Sequence, residues 1–140
     1  MYHRFDESKY PSTNIQNEIF LEHLNEIDKS KIKFIAFEKF TKIINTKIDS
    51  NYLLLTVDDA FESFYKNAWP IIKDKKIPCL LFVSTREVGK NGYMTWDQIR
   101  EVKESNLVTI GNHSHSHDYL IDWEDEKIEA DLKKSIEIFK

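Results

Sequence analysis

Two short polar clusters hold the residue types that hydrolytic chemistry needs. Asp58-Asp59 is a pair of adjacent carboxylates, and Gly111-Asn112-His113-Ser114-His115-Ser116-His117 places three histidines within five residues. Two carboxylates leaving the end of a strand can diverge, one toward a metal ion and the other toward a water, which separates a ligand from a general base. Two imidazoles and one carboxylate make a three-ligand site with an open position for water, the catalytic rather than the structural type of metal centre. Such mixed ligation suits zinc and also accepts cobalt, nickel, manganese or iron. Spacing leaves the imidazole pair open: His113 and His115 share a face of an extended strand, whereas His113 and His117 share a side of a turn.

Each cluster has a plainer reading when taken alone. Asp59 stands just ahead of Ala60-Phe61-Glu62, where it suits a helix cap, and a histidine-rich loop can be merely solvated or bind metal adventitiously. Their joint occurrence favours chemistry, because both follow apolar segments that read as strands. Residues 52–57 run directly into Asp58, and residues 107–110 run directly into Gly111. Between them the pattern predicts a helix over 61–75, a strand over 79–83 and a helix over 95–105.

Upstream, Asn14 suits the cap of a helix with Ile15, Ile19, Phe20, Leu24 and Ile27 on one face, and residues 34–37 form a short strand candidate. Downstream, Asp122 suits the cap of a last helix whose Ile128, Leu132, Ile136 and Phe139 form an apolar stripe. Strands that are apolar throughout are buried on both faces, and short β/α alternation makes a parallel sheet covered by helices. The expected fold is α/β, as an open sheet or as part of a β/α barrel. In both, the site forms at the carboxyl ends of the strands. The last helix reaches Lys140 with no capping Gly or Pro stop, and its stripe calls for a following strand and helix, so the chain reads as cut short at its C-terminus.

The 140 residues, with 41% hydrophobic, 13% aromatic and 31% charged content, fit one domain spanning 1–140. A net charge of -4 without a basic cluster argues against nucleic acid as the main partner. The longest apolar run, 79–83, falls far short of the ~20 residues of a membrane span. Residues 1–6 carry neither the basic start nor the apolar stretch of a secretory signal. The lone Cys79 lies inside the apolar run and reads as a buried, inert thiol. His3 reads as a surface or hydrogen-bonded residue, and Trp69, Trp96 and Trp123 as packing residues.

Thr56-Val57-Asp58-Asp59-Ala60 followed by His113-Ser114-His115-Ser116-His117 resembles the first two motifs of the NodB-homology polysaccharide deacetylases, carbohydrate esterase family 4 and its relatives. Tyr93-Met94-Thr95-Trp96-Asp97-Gln98, Tyr2-His3-Arg4-Phe5 and Tyr10-Pro11-Ser12-Thr13-Asn14-Ile15 are also similar to segments of bacterial members, so the resemblance spans nearly the whole chain. It implies a distorted (β/α) barrel, with Asp58 as general base and Asp59, His113 and His117 as ligands of a divalent metal, zinc first and cobalt, nickel or manganese next. His115 then falls at a variable position.

The implied reaction is hydrolysis of N-acetyl groups on an N-acetylglucosamine-type glycan by a metal-activated water, with Asp58 taking the proton and amine and acetate leaving. The implied partner is an N-acetylated polysaccharide, met in the envelope or outside the cytoplasm. Val57 and Ala60 stand where the family motif usually has Phe and Gly. The family's later arginine, acetyl-pocket and acid-histidine motifs would lie beyond Lys140, and substrate-binding residues are not assigned. Two other readings fit the same residues: a non-catalytic carbohydrate-binding or assembly module, and an amidohydrolase of small cyclic amides.

Overall fold

The apolar strands pair in parallel, in chain order, and this alignment sets where the polar clusters emerge. The computed structural model describes residues 1–46 and 50–140. Its main sheet contains β5 (Leu55–Val57), β6 (Cys79–Val83) and β7 (Val108–Asn112), with Leu55 opposite Cys79 and Cys79 opposite Val108. Two smaller parallel pairs flank it: β1 (Arg4–Phe5) with β2 (Asn14–Ile15), and β3 (Lys33–Phe34) with β4 (Tyr52–Leu53). Tyr2 bridges to Val57, so the N-terminal segment lies along β5.

β6 matches the predicted strand residue for residue, and four of its five residues are buried, as a strand covered on both faces must be. Cys79 is 2% exposed, and burial pushes its thiol up to about 12, which agrees with an inert cysteine. The core gathers Phe5, Phe20, Phe64, Ile72, Leu81, Val83, Met94 and Val102 around the sheet.

Helices α1 (Asn17–Lys29), α2 (Phe37–Ile43), α3 (Trp69–Asp74), α4 (Trp96–Glu104) and α5 (Asp125–Phe139) surround these strands. α4 starts as its sequence dictates: Thr95 accepts from the Gln98 N–H, and the Gln98 side chain accepts from the Thr95 N–H, a reciprocal box that satisfies two free donors.

Five expectations change in detail. The expected strand 52–57 is interrupted at Leu54, because Leu53 pairs with β3 whereas Leu55 pairs with β6. The expected strand 34–37 closes at Phe34, and Phe37 already opens α2. The expected helix 61–75 contains a π-helical turn over Phe64–Ala68 before α3. Asn14 belongs to β2 and accepts from the Glu7 N–H, so Gln16 takes the cap position of α1. Asp122 lies in a 3₁₀ turn, Leu120–Asp122, and α5 is capped at Glu124.

On α5 the expected apolar stripe stays uncovered, and a polar pair is buried. Leu132 and Ile136 are exposed, while Asp131 and Ser135 are buried, so the helix turns a polar stripe inward and anchors its apolar end through Phe139 against Trp96. Among the described residues no strand pairs with the outer edge of β7.

Gly111 in β7 has a steric reason. A Cβ there would lie 2.7 and 2.8 Å from Cδ1 and Cε1 of Phe82, whose ring packs beside that of His113. Gly111→Ala is therefore expected to cost about 1–3 kcal/mol by overpacking. Thermal unfolding checks this as a melting temperature several degrees lower; an unchanged melting temperature contradicts it.

Candidate metal centre

β5 delivers the carboxylates and β7 the imidazoles, because their carboxyl ends point the same way in a parallel sheet. The Asp58 N–H donates to the Tyr2 carbonyl at 2.9 Å, prolonging the pairing with the N-terminal segment by one residue. The chain then turns sharply, with Asp59 at φ 74° and Ala60 at φ 52°. Left-handed backbone at two successive non-glycine residues costs roughly 1–2 kcal/mol each. It is held by an antiparallel bridge between Phe61 and Tyr93 and by the Met94 N–H donating to the Ala60 carbonyl at 2.9 Å.

The histidine loop is over-determined in the same way. The Ser84 hydroxyl donates to the His113 carbonyl at 2.6 Å, and the Arg86 N–H donates to the His115 carbonyl at 3.0 Å. Ser114 (φ 68°) and His117 (φ 61°) are also left-handed, and the His117 N–H is held by the Ser114 hydroxyl at 3.1 Å. Both oxygens of Asp131 accept from the loop, from the His115 N–H at 2.7 Å and the Ser116 N–H at 3.0 Å.

These constraints bring His113, His117 and Asp59 together. Asp59 Oδ1 lies 2.8 Å from His117 Nε2 and 3.2 Å from His113 Nε2. Among the described residues they form a group of three possible ligand atoms, all within 4.8 Å of one another. Asp59 Oδ1 is buried, with both imidazole nitrogens as close neighbours. Atoms gathered this closely are of the kind that can share one ion, whose ligands stand about 2.0–2.1 Å from it. His115 is outside the group, its Nδ1 2.9 Å from the Thr85 hydroxyl.

Asp58 sits beside the trio without belonging to it. Its Oδ2 is 3.8 Å from His3 Nε2, and its buried Oδ1 has no hydrogen-bond partner. Burial pushes the Asp58 carboxyl above its ordinary range, although His113 and His3 pull it the other way. Burial also acts on Asp59, but the adjacent His113 and His117 outweigh it and hold that carboxyl below its ordinary value. Contact with Asp59 in turn raises His113 despite its burial. Neighbouring carboxyls driven apart in this way suit different tasks, one a standing anion and the other a proton acceptor.

Three residues here escaped the sequence reading. His3 reaches Asp58 through the strand-like pairing of Tyr2, and nothing local signals that contact. Asp131 and Ser135 carry a faint signal: they are polar residues four apart on a helix, a spacing that puts both on one face.

Comparison with known proteins bears on the family and the fold. Residues 45–140 match the family model described as Polysaccharide deacetylase. The poly-beta-1,6-N-acetyl-D-glucosamine N-deacetylase of Staphylococcus aureus strain COL is 31% identical over 90 residues, covering 61% of this chain and 31% of that protein. The structure of IcaB from Ammonifex degensii superposes with a TM-score of 0.75 at 28% identity, over 91% of this chain and 55% of that one. The Streptococcus pyogenes deacetylase PplD, solved in complex with acetate, gives a TM-score of 0.83 at 21% identity, over 96% of this chain and 63% of that one, a likeness of fold. The chain thus spans about a third of the length of the curated relatives it matches. With the family model covering most of its length, from the carboxylate strand through the histidine loop, the chain belongs to the polysaccharide deacetylase family.

Proposed function

We propose that this chain carries the metal and base half of a hydrolase that removes N-acetyl groups from a polysaccharide of the N-acetylglucosamine type. The observation that carries this reading is the convergence of Asp59 Oδ1, His113 Nε2 and His117 Nε2 with Asp58 alongside. The S. aureus relative, named for poly-beta-1,6-N-acetyl-D-glucosamine, supports that polymer as the substrate class. Such a glycan is met outside the cytoplasm, and none of the described helices is long and apolar enough to cross a membrane.

Asp59, His113 and His117 would hold a divalent ion, zinc by preference for this donor set, with cobalt, nickel or manganese as substitutes. An ion held there supplies Lewis acidity toward the amide carbonyl and toward water. Asp58 accepts the water proton, and its raised affinity for protons brings it nearer the operating pH of a general base. His3 Nε2, 3.8 Å from Asp58 Oδ2, is a polar neighbour of that carboxylate.

A second reading, a glycan-binding or assembly module without turnover, draws on the partial span of the relatives. Acetate release from N-acetylglucosamine oligomers separates the two, since a binder retains affinity and releases nothing.

Dialysed chain is expected to retain about one zinc, with a higher melting temperature than the chelator-treated protein, because a ligand that binds only the folded state stabilises it. His117→Ala should abolish retention; elemental analysis showing full zinc in that variant overturns the ligand assignment. Asp58→Asn should keep its zinc and lose about 10²–10⁴-fold in acetate release. Undiminished turnover in that variant removes Asp58 from proton transfer.

A further inference from the structure

α5 buries two polar residues against the histidine loop. Asp131 is 8% exposed and Ser135 0%, whereas Leu132 and Ile136 are 37% and 49% exposed. A carboxylate taken out of water is costly unless its oxygens are hydrogen-bonded, and Asp131 uses both on the main chain of the histidine loop. One turn further, the Ser135 hydroxyl donates to Asn112 Oδ1 at 2.7 Å and lies 3.2 Å from the Ser114 carbonyl. Asn112 Oδ1 also accepts from the Ser114 N–H at 2.8 Å. Helix and loop are thereby joined at four residues of the loop, 112 and 114–116.

None of these bonds reaches the imidazole of His113 or of His117. They fix instead the backbone between the two, where Ser114 and His117 adopt left-handed conformations that persist only when neighbours over-determine them. We propose that Asp131, assisted by Ser135, is a positioning residue of the metal centre: by gripping the His115 and Ser116 amides it sets the turn that aims His113 and His117 at Asp59. The proposal rests on the metal-centre reading given above and adds a residue outside the ligand set. Groups that orient ligands in this manner commonly contribute tenfold to a hundredfold in metal affinity.

The test compares the wild-type chain with Asp131→Asn, which keeps the shape and removes the charge, and with Ser135→Ala and Ile72→Val. Ile72 is fully buried in α3, and its truncation serves as a control for lost stability alone. Zn2+ affinity is read by chelator competition, geometry by the visible absorption of bound Co2+, and the loop by amide hydrogen exchange at His115 and Ser116. The expected result is about tenfold or greater weakening of Zn2+ binding in Asp131→Asn, a changed Co2+ spectrum, faster exchange of both amides and a smaller loss of the same kind in Ser135→Ala. Ile72→Val should lower the melting temperature and leave affinity and spectrum unchanged.

Wild-type affinity and spectrum in Asp131→Asn overturn the proposal while leaving the metal centre intact. If that variant does not fold, Ser135→Ala decides, and unaltered binding in it has the same meaning. A wild-type chain that binds neither ion overturns the metal-centre reading and this proposal with it.

Discussion

Two carboxylates in succession, both nearly out of water, are the constraint around which this chain is organised. Asp58 and Asp59 are 8% and 6% exposed, and each keeps one buried oxygen with no hydrogen-bond partner. Two adjacent anions without compensation would be forced toward protonation. The surroundings resolve this unequally. Asp59 receives two imidazoles from a strand two places along the sheet, and Asp58 receives His3 from the N-terminal segment.

That solution needs accurate placement, and the main chain supplies it. The parallel register puts the ends of β5 and β7 on one side of the sheet, with β6 between them as a buried spacer. Beyond the strands, both polar turns use left-handed residues that are not glycine, at Asp59 and Ala60 and again at Ser114 and His117. Strain of this kind is a common companion of preorganised sites, where the fold holds a geometry the free chain disfavours. Ser84, Arg86 and Asp131 hold the histidine turn from two sides. The family likeness extends over this framework, which explains why the fold superposes well at low sequence identity.

Much of this was legible because the relevant signals are local. Val57 ahead of Asp58 marks a strand end directly, and parallel β/α rhythm implies that such ends converge, whereas the strand expected over 107–110 runs on to Asn112. The choice of His117 over His115 was not legible from spacing, since it depends on the left-handed Ser114 and on Thr85 engaging His115. The break at Leu54 was invisible because a change of pairing partner leaves an apolar run apolar. On α5, hydrophobicity pointed to the stripe of Leu132 and Ile136, while the burial of Asp131 against the loop's amides had no apolar signal. A long-range contact such as His3 with Asp58 leaves no periodic trace at all.

The pairing of Tyr2 with β5 bears on the order in which the chain matures. During synthesis the first residues emerge long before residues 55–57 that they pair with, so they have no sheet to join until some fifty residues later. Asp59, His113 and His117 sit in the turns that follow β5 and β7, whereas His3 reaches Asp58 through the docked N-terminal segment. The surroundings of Asp58 are therefore completed by a contact between distant parts of the chain, and anything that holds the first few residues away removes it.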